Sequence, residues 1–161
     1  MRHPEACRPA FSLIELIIVL VILGAIVAIA LPRLSHGVGC SAESALRADL
    51  VVLRQAIDLY AMEHGGAYPT DAASFVAQMT QYTDDSGNAR ASRDATHIYG
   101  PYLAAMPAVP IKPKNGSRTV RGSGSVGTGA EGWYYYKDSG KIIVNAPPAV
   151  TDCEGVAFVD Y

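Results

Sequence analysis

Glu15 is the only charged residue in an apolar run, FSLIELIIVLVILGAIVAIAL, that covers residues 11–31. A carboxylate in such a run calls for a cation, because burying it in a membrane helix costs roughly 3 kcal/mol on insertion scales. The run follows a polar segment, MRHPEACRPA, that ends in the small residue Ala10 directly before Phe11. A peptidase cut at that junction creates a new amine at Phe11. That ammonium lies four residues from its own Glu15 and is also open to the Glu15 of a neighbouring copy. The chemistry available at this end of the chain is therefore proteolysis followed by pairing of an ammonium with a carboxylate.

No other group stands in a catalytic spacing. His3, His36, His64 and His97 share no metal-ligand spacing, and no cysteines form a C-x-x-C pair, so a structural zinc site has no framework. No serine lies in G-x-S-x-G, and none can be paired with a base from sequence. Gly122-Ser123-Gly124-Ser125-Val126-Gly127 matches G-x-G-x-x-G, but an aromatic strand follows it where a dinucleotide site needs a helix, so it reads as a flexible loop. Asp84, Asp85 and Asn88, or Asp152, Glu154 and Asp160, could offer oxygen ligands to calcium; solvated turns are the stronger reading, and no cofactor is expected. The chain is not an enzyme on these grounds.

Composition narrows the class further. The net charge of -2 becomes -3 once Arg2, Arg8 and Glu5 of the leader are removed. No basic patch points to nucleic acid. About 130 residues after Leu31 supply one modest domain. Cys7 would leave with the leader, so Cys40 and Cys153 remain as an even pair. A bridge between them would close a loop of more than 100 residues and contribute several kcal/mol in the chain-entropy model; two separate buried thiols are the alternative.

Phe11-Ser12-Leu13-Ile14-Glu15 and the junction before it resemble type IV prepilins and the pseudopilins of type II secretion. The resemblance implies that a membrane prepilin peptidase cuts between Ala10 and Phe11 and methylates the Phe11 amine, and that Glu15 guides docking of subunits. Glycine is usual before the cut, and Ala10 takes its place here. Proline is common at the position of Pro32. A looser second layer of resemblance, toward major pseudopilins, lies in Ile57-Asp58-Leu59-Tyr60, Gly66-Ala67-Tyr68-Pro69-Thr70 and Gly100-Pro101-Tyr102-Leu103. The aspartate-proline-tryptophan-glycine string usual there is replaced by Val109-Pro110-Ile111-Lys112-Pro113.

The elements that must position these residues follow from periodicity. A helix over 11–31 is about 32 Å long, enough to cross a hydrocarbon core, and Arg2 and Arg8 keep the leader cytoplasmic by the positive-inside tendency. Between Gly24 and Pro32 the helix should bend or unwind, because proline removes the hydrogen bond to Ala28 and glycine is a weak helix former. Beyond Pro32, Leu46, Leu50, Leu53, Ile57 and Ala61 recur at spacings of three and four, the mark of an amphipathic continuation over 32–64. Glu43 with Arg47 and Arg54 with Asp58 form i,i+4 pairs on its polar side. Gly65-Gly66 ends it. A short helix starts at Thr70 or Asp71, residues 84–98 form a surface excursion, and the four prolines of residues 100–113 make an extended strap. Trp133–Tyr136, the turn Asp138-Ser139-Gly140 and Lys141–Val144 read as a hairpin, with a third strand from residues 156–159.

The expected fold is α+β and pilin-like: a leader over 1–10, a long helix with a membrane half and an amphipathic half, and a domain over 65–161 whose small antiparallel sheet packs on that helix. The expected function is a structural subunit of a type II secretion pseudopilus or a type IV pilus-like filament. Its expected partners are copies of itself and related pilins, prepilin peptidase, an inner-membrane assembly platform and membrane lipid. The expected site is the bacterial cytoplasmic membrane, single-pass with the N-terminus inside, and a periplasmic or extracellular filament after assembly. The alternative is a signal-anchored or secreted binding domain, with Ala28-Ile29-Ala30 as an ordinary signal-peptide cleavage site.

Overall fold

The computed structural model describes residues 12–161, with the backbone alone for residues 29–39. The leader over 1–10, with Ala10, and Phe11 lie outside the described residues. Helix α1 is Leu13–Glu63 and is assigned without interruption through the positions of Gly24 and Pro32. The chain divides into two units, one up to Val38 and one over Gly39–Tyr161.

In the first unit every described side chain is exposed, including Leu13 at 75 % and Ile14 at 66 %. Among the described residues, however, no helix is long and apolar enough to cross a membrane. The part of α1 in the second unit carries Glu43, Arg47, Asp49, Arg54, Asp58 and Glu63. The expected fold class with a membrane half at 11–31, and the single-pass membrane localisation that rested on it, are corrected accordingly.

In the second unit, Leu46, Leu50, Leu53, Ile57 and Tyr60 line one face of α1 and are at most 2 % exposed. That face joins the core. Gly66 N–H donates to the Ala61 carbonyl at 2.7 Å, and Gly65 and Gly66 both take positive φ, the backbone geometry that closes a helix C-terminus. Helix α2, Ala72–Thr80, starts at Asp71, whose carboxylate accepts the Ser74 N–H at 2.8 Å. It turns Phe75 and Met79 inward.

The excursion after α2 contains a small antiparallel pair, β1 (Tyr82–Thr83) with β2 (Ala89–Arg90). The main sheet orders β3 (Val120–Arg121), β4 (Trp133–Tyr136) and β5 (Lys141–Val144). Strands β4 and β5 pair antiparallel, Trp133 opposite Val144 and Tyr136 opposite Lys141. Strand β3 pairs parallel with β4, Val120 opposite Trp133. The sheet is therefore mixed, which corrects the antiparallel expectation. The parallel pair is feasible because the Gly-Ser loop returning from β3 to β4 is pinned from inside. The buried Asn145 accepts the Gly127 N–H at 2.6 Å and donates to the Thr128 and Glu131 carbonyls at 2.8 and 2.9 Å.

Residues 156–159 do not supply a third strand. Phe158–Asp160 is a 3₁₀ turn, and Phe158 is buried in the core. An aromatic that must point inward while the neighbouring chain folds back over α1 suits a turn better than a strand edge. The strap of residues 100–113 has no regular structure among the described elements and contributes Leu103, Met106, Val109 and Ile111 to the core.

Candidate functional site

Of the residues singled out by sequence, Glu15 lies in the first turn of α1 and is exposed. A carboxylate there is favoured by the partial positive charge of the helix N-terminus, typically by 0.3–1 kcal/mol at about this degree of exposure. Gly24 is inside α1 with open space where a Cβ would stand. Pro32 is in α1 by its backbone. Cys40 and Cys153 are joined by a disulfide, with Cα atoms 6.0 Å apart.

The disulfide is one end of a larger seam between α1 and the last stretch of the chain. One turn on from Glu43, Arg47 donates from Nη2 to Asp152 at 2.8 Å and to the Tyr161 hydroxyl at 2.8 Å, with its guanidinium 4.8 Å from the Tyr161 ring centre. Tyr161 donates its own hydroxyl to Asp152. Two turns further, Arg54 donates to the Tyr161 carbonyl at 2.6 Å. The Asp152 side chain is fully buried, whereas that of Arg47 is 51 % exposed. Asp152 also accepts the N–H groups of Glu154 and Val156 at 2.8 Å each. The Tyr161 hydroxyl, those backbone donors and Arg47 outweigh desolvation and hold the Asp152 carboxyl at about 2. Burial first, and the bond to Asp152 second, push the Tyr161 hydroxyl up.

These contacts replace the i,i+4 pairs expected on α1. Arg47 turns to Asp152 rather than Glu43, and Arg54 to the Ile142 and Tyr161 carbonyls rather than Asp58. A solvated pair on a helix surface is worth only about 0.3–0.5 kcal/mol, less than a charge-assisted bond to a buried acceptor at about 1.5–3 kcal/mol. Glu43, released from Arg47, accepts the Cys153 N–H at 3.0 Å. Cys40 and Glu43 are three apart on one helix, a spacing that signals a shared face; its link to Cys153 has no signal in the sequence.

Both clusters considered for calcium are turn anchors. Asp84 accepts from Ser86 N–H, Asn88 N–H and the Asn88 side-chain amide at 2.8 to 3.0 Å, and these bonds, the Asn88 amide foremost, lower its pKa. Asp152 is filled by the donors already named. Carboxylates aimed at N–H groups and an arginine have their lone pairs engaged by donors, the reverse of a cation's ligand shell. The loop of residues 122–127 runs into β4 with no helix after it. His64 stacks on Tyr60 at 3.9 Å between ring centres and bonds to backbone and Thr83; His97 is held by Asp94. Among the described residues no catalytic cluster is assembled, and the one grouping with metal-ligand types is Cys40, Glu43 and Cys153.

The chain carries a prokaryotic N-terminal methylation motif. The motif covers residues 8–31 and is characteristic of type IV pilin-like and pseudopilin-like proteins. No curated protein and no solved structure matches the chain. The link to those pilin-like proteins rests on this N-terminal segment. The more specific expectation, a pseudopilus or pilus subunit held in a membrane and then assembled through that anchor, is corrected by the absence among the described residues of a helix able to cross a membrane.

Proposed function

We propose that the chain is a substrate for pilin-type N-terminal processing, cut between Ala10 and Phe11 and methylated on the Phe11 amine, and that the processed protein associates with copies of itself. The methylation motif at residues 8–31 carries the reading. Cleavage converts a neutral peptide nitrogen into an ammonium four residues before Glu15 in sequence, and methylation leaves that charge in place. An ammonium facing a carboxylate in apolar surroundings gains far more than the same pair in water. The exposed apolar side chains of residues 13–28 form a surface of the kind that marks an interaction site. A second copy offers an identical apolar face and a second Phe11 ammonium for Glu15.

The test is co-expression with and without a prepilin-type peptidase. The expected outcome is loss of residues 1–10 only when the peptidase is present, with faster processing of Ala10→Gly. Glu15→Ala is expected to be cut normally and to lose self-association in cross-linking. An uncut chain in the presence of active peptidase contradicts the proposal.

A further inference from the structure

The Cys40–Cys153 bridge has a carboxylate set against it. Besides accepting the Cys153 N–H, Glu43 places its second oxygen 3.3 Å from Cys153 Sγ. A disulfide sulfur carries no hydrogen, so while the bridge is intact that contact sets two electron-rich atoms together with no proton between them. The ligand atoms of Cys40, Glu43 and Cys153 all lie within 4.8 Å of one another. They border a cleft of about 140 Å³ that Arg47 and Glu154 also line.

We propose that Cys40, Cys153 and Glu43 form a redox-gated site for a thiophilic divalent cation, of which Zn²⁺ is the fitting example. A dithiol reductant supplies two electrons and two protons: the Cys40–Cys153 bond breaks, two thiols form, and the dithiol closes to its own disulfide. The cation then displaces both thiol protons to solvent and takes two thiolates and one carboxylate, leaving a fourth tetrahedral position for water or Glu154. Thiolate ligands select zinc over calcium or magnesium. At Zn–S distances of about 2.3 Å the tetrahedral angle sets the two sulfurs about 3.8 Å apart. Both cysteines are exposed, so side-chain rotation across Cα atoms 6.0 Å apart provides that separation. Two thiolates and a carboxylate exceed the charge of the cation by one, and Arg47 in the same cleft offsets it.

The probe is Co²⁺, read by thiolate-to-metal charge-transfer absorption, with Zn²⁺ as competitor, on the full chain bearing Cys7→Ser. The expected result is one Co²⁺ per chain after reduction and removal of the dithiol, and none on the oxidised chain. Glu43→Gln keeps the bridge, so its oxidised form reports folding, and after reduction its affinity is expected to fall about tenfold or more, at least the cost of losing an outer-shell partner. Absence of stoichiometric binding to the reduced chain overturns the proposal, as does binding by Glu43→Gln that equals the parent or equal binding by the oxidised chain.

Discussion

Arg47 and Asp152 meet at 2.8 Å across 105 residues of sequence, the first exposed and the second fully buried. The asymmetry sets what each contributes. Asp152 is the organising group, collecting four sets of donors, and Arg47 is the one that can still reach solvent.

Acid should therefore act on the protein through Asp152. Its folded pKa is held at about 2, below the ordinary 3.8, so its contribution is present above the unfolded value and is lost as pH falls from about 4 toward 2. Asp152→Asn is expected to lower Tm at neutral pH and to flatten the fall in Tm over that window. Melting curves from pH 2 to 7 check this, with parent and variant expected to converge at the acid end.

Removing the bridge relaxes the unfolded chain by a loop of 113 residues. Cys153→Ser is expected to lose about 3–5 kcal/mol of unfolding free energy in urea titrations, the range of the chain-entropy model and of native disulfide removals. The loss should match that of the parent measured under reducing conditions in the absence of metal.

Asn145 is fully buried and faces two carbonyls with its amide group. Asn145→Asp removes both donors and sets a carboxylate against those oxygens, at about 1–3 kcal/mol for each unpaired group. Such a carboxyl has a raised folded pKa. Its penalty is full at neutral pH and fades as pH falls, so the variant is expected to regain Tm relative to the parent as pH is lowered from neutral.

Trp133 has no exposed surface and donates its indole N–H to the Pro107 carbonyl at 3.0 Å. Trp133→Ala is expected to cost about 3–5 kcal/mol, measured by denaturant titration. Trp133→Phe keeps most of the volume and should recover more than half of that loss.

The helical face of Leu46, Leu50, Leu53 and Ile57 was legible because its spacing reports one helix packed on one core. So were the Asp71 cap and the turn at residues 138–140, since each depends on neighbours in sequence. The parallel pairing of Val120–Arg121 left no trace. Two residues carry no period, and the pin that makes the pairing work, Asn145, lies beyond the hairpin. Arg47 and Arg54 were visible as charges, but their partners were assigned locally, whereas a buried acceptor brought in by the chain end wins over a solvated neighbour. The apolar run was legible as composition. Cys40 with Cys153 was countable, while Glu43 beside them required the fold.

The mass of the N-terminal peptide of the mature protein, isolated from cells that express the full chain together with a prepilin-type peptidase, tests the central claim most directly. A peptide beginning at N-methylated Phe11 is the predicted result. A mature chain beginning at Met1, or at Leu31 after an ordinary signal cleavage, would contradict the account.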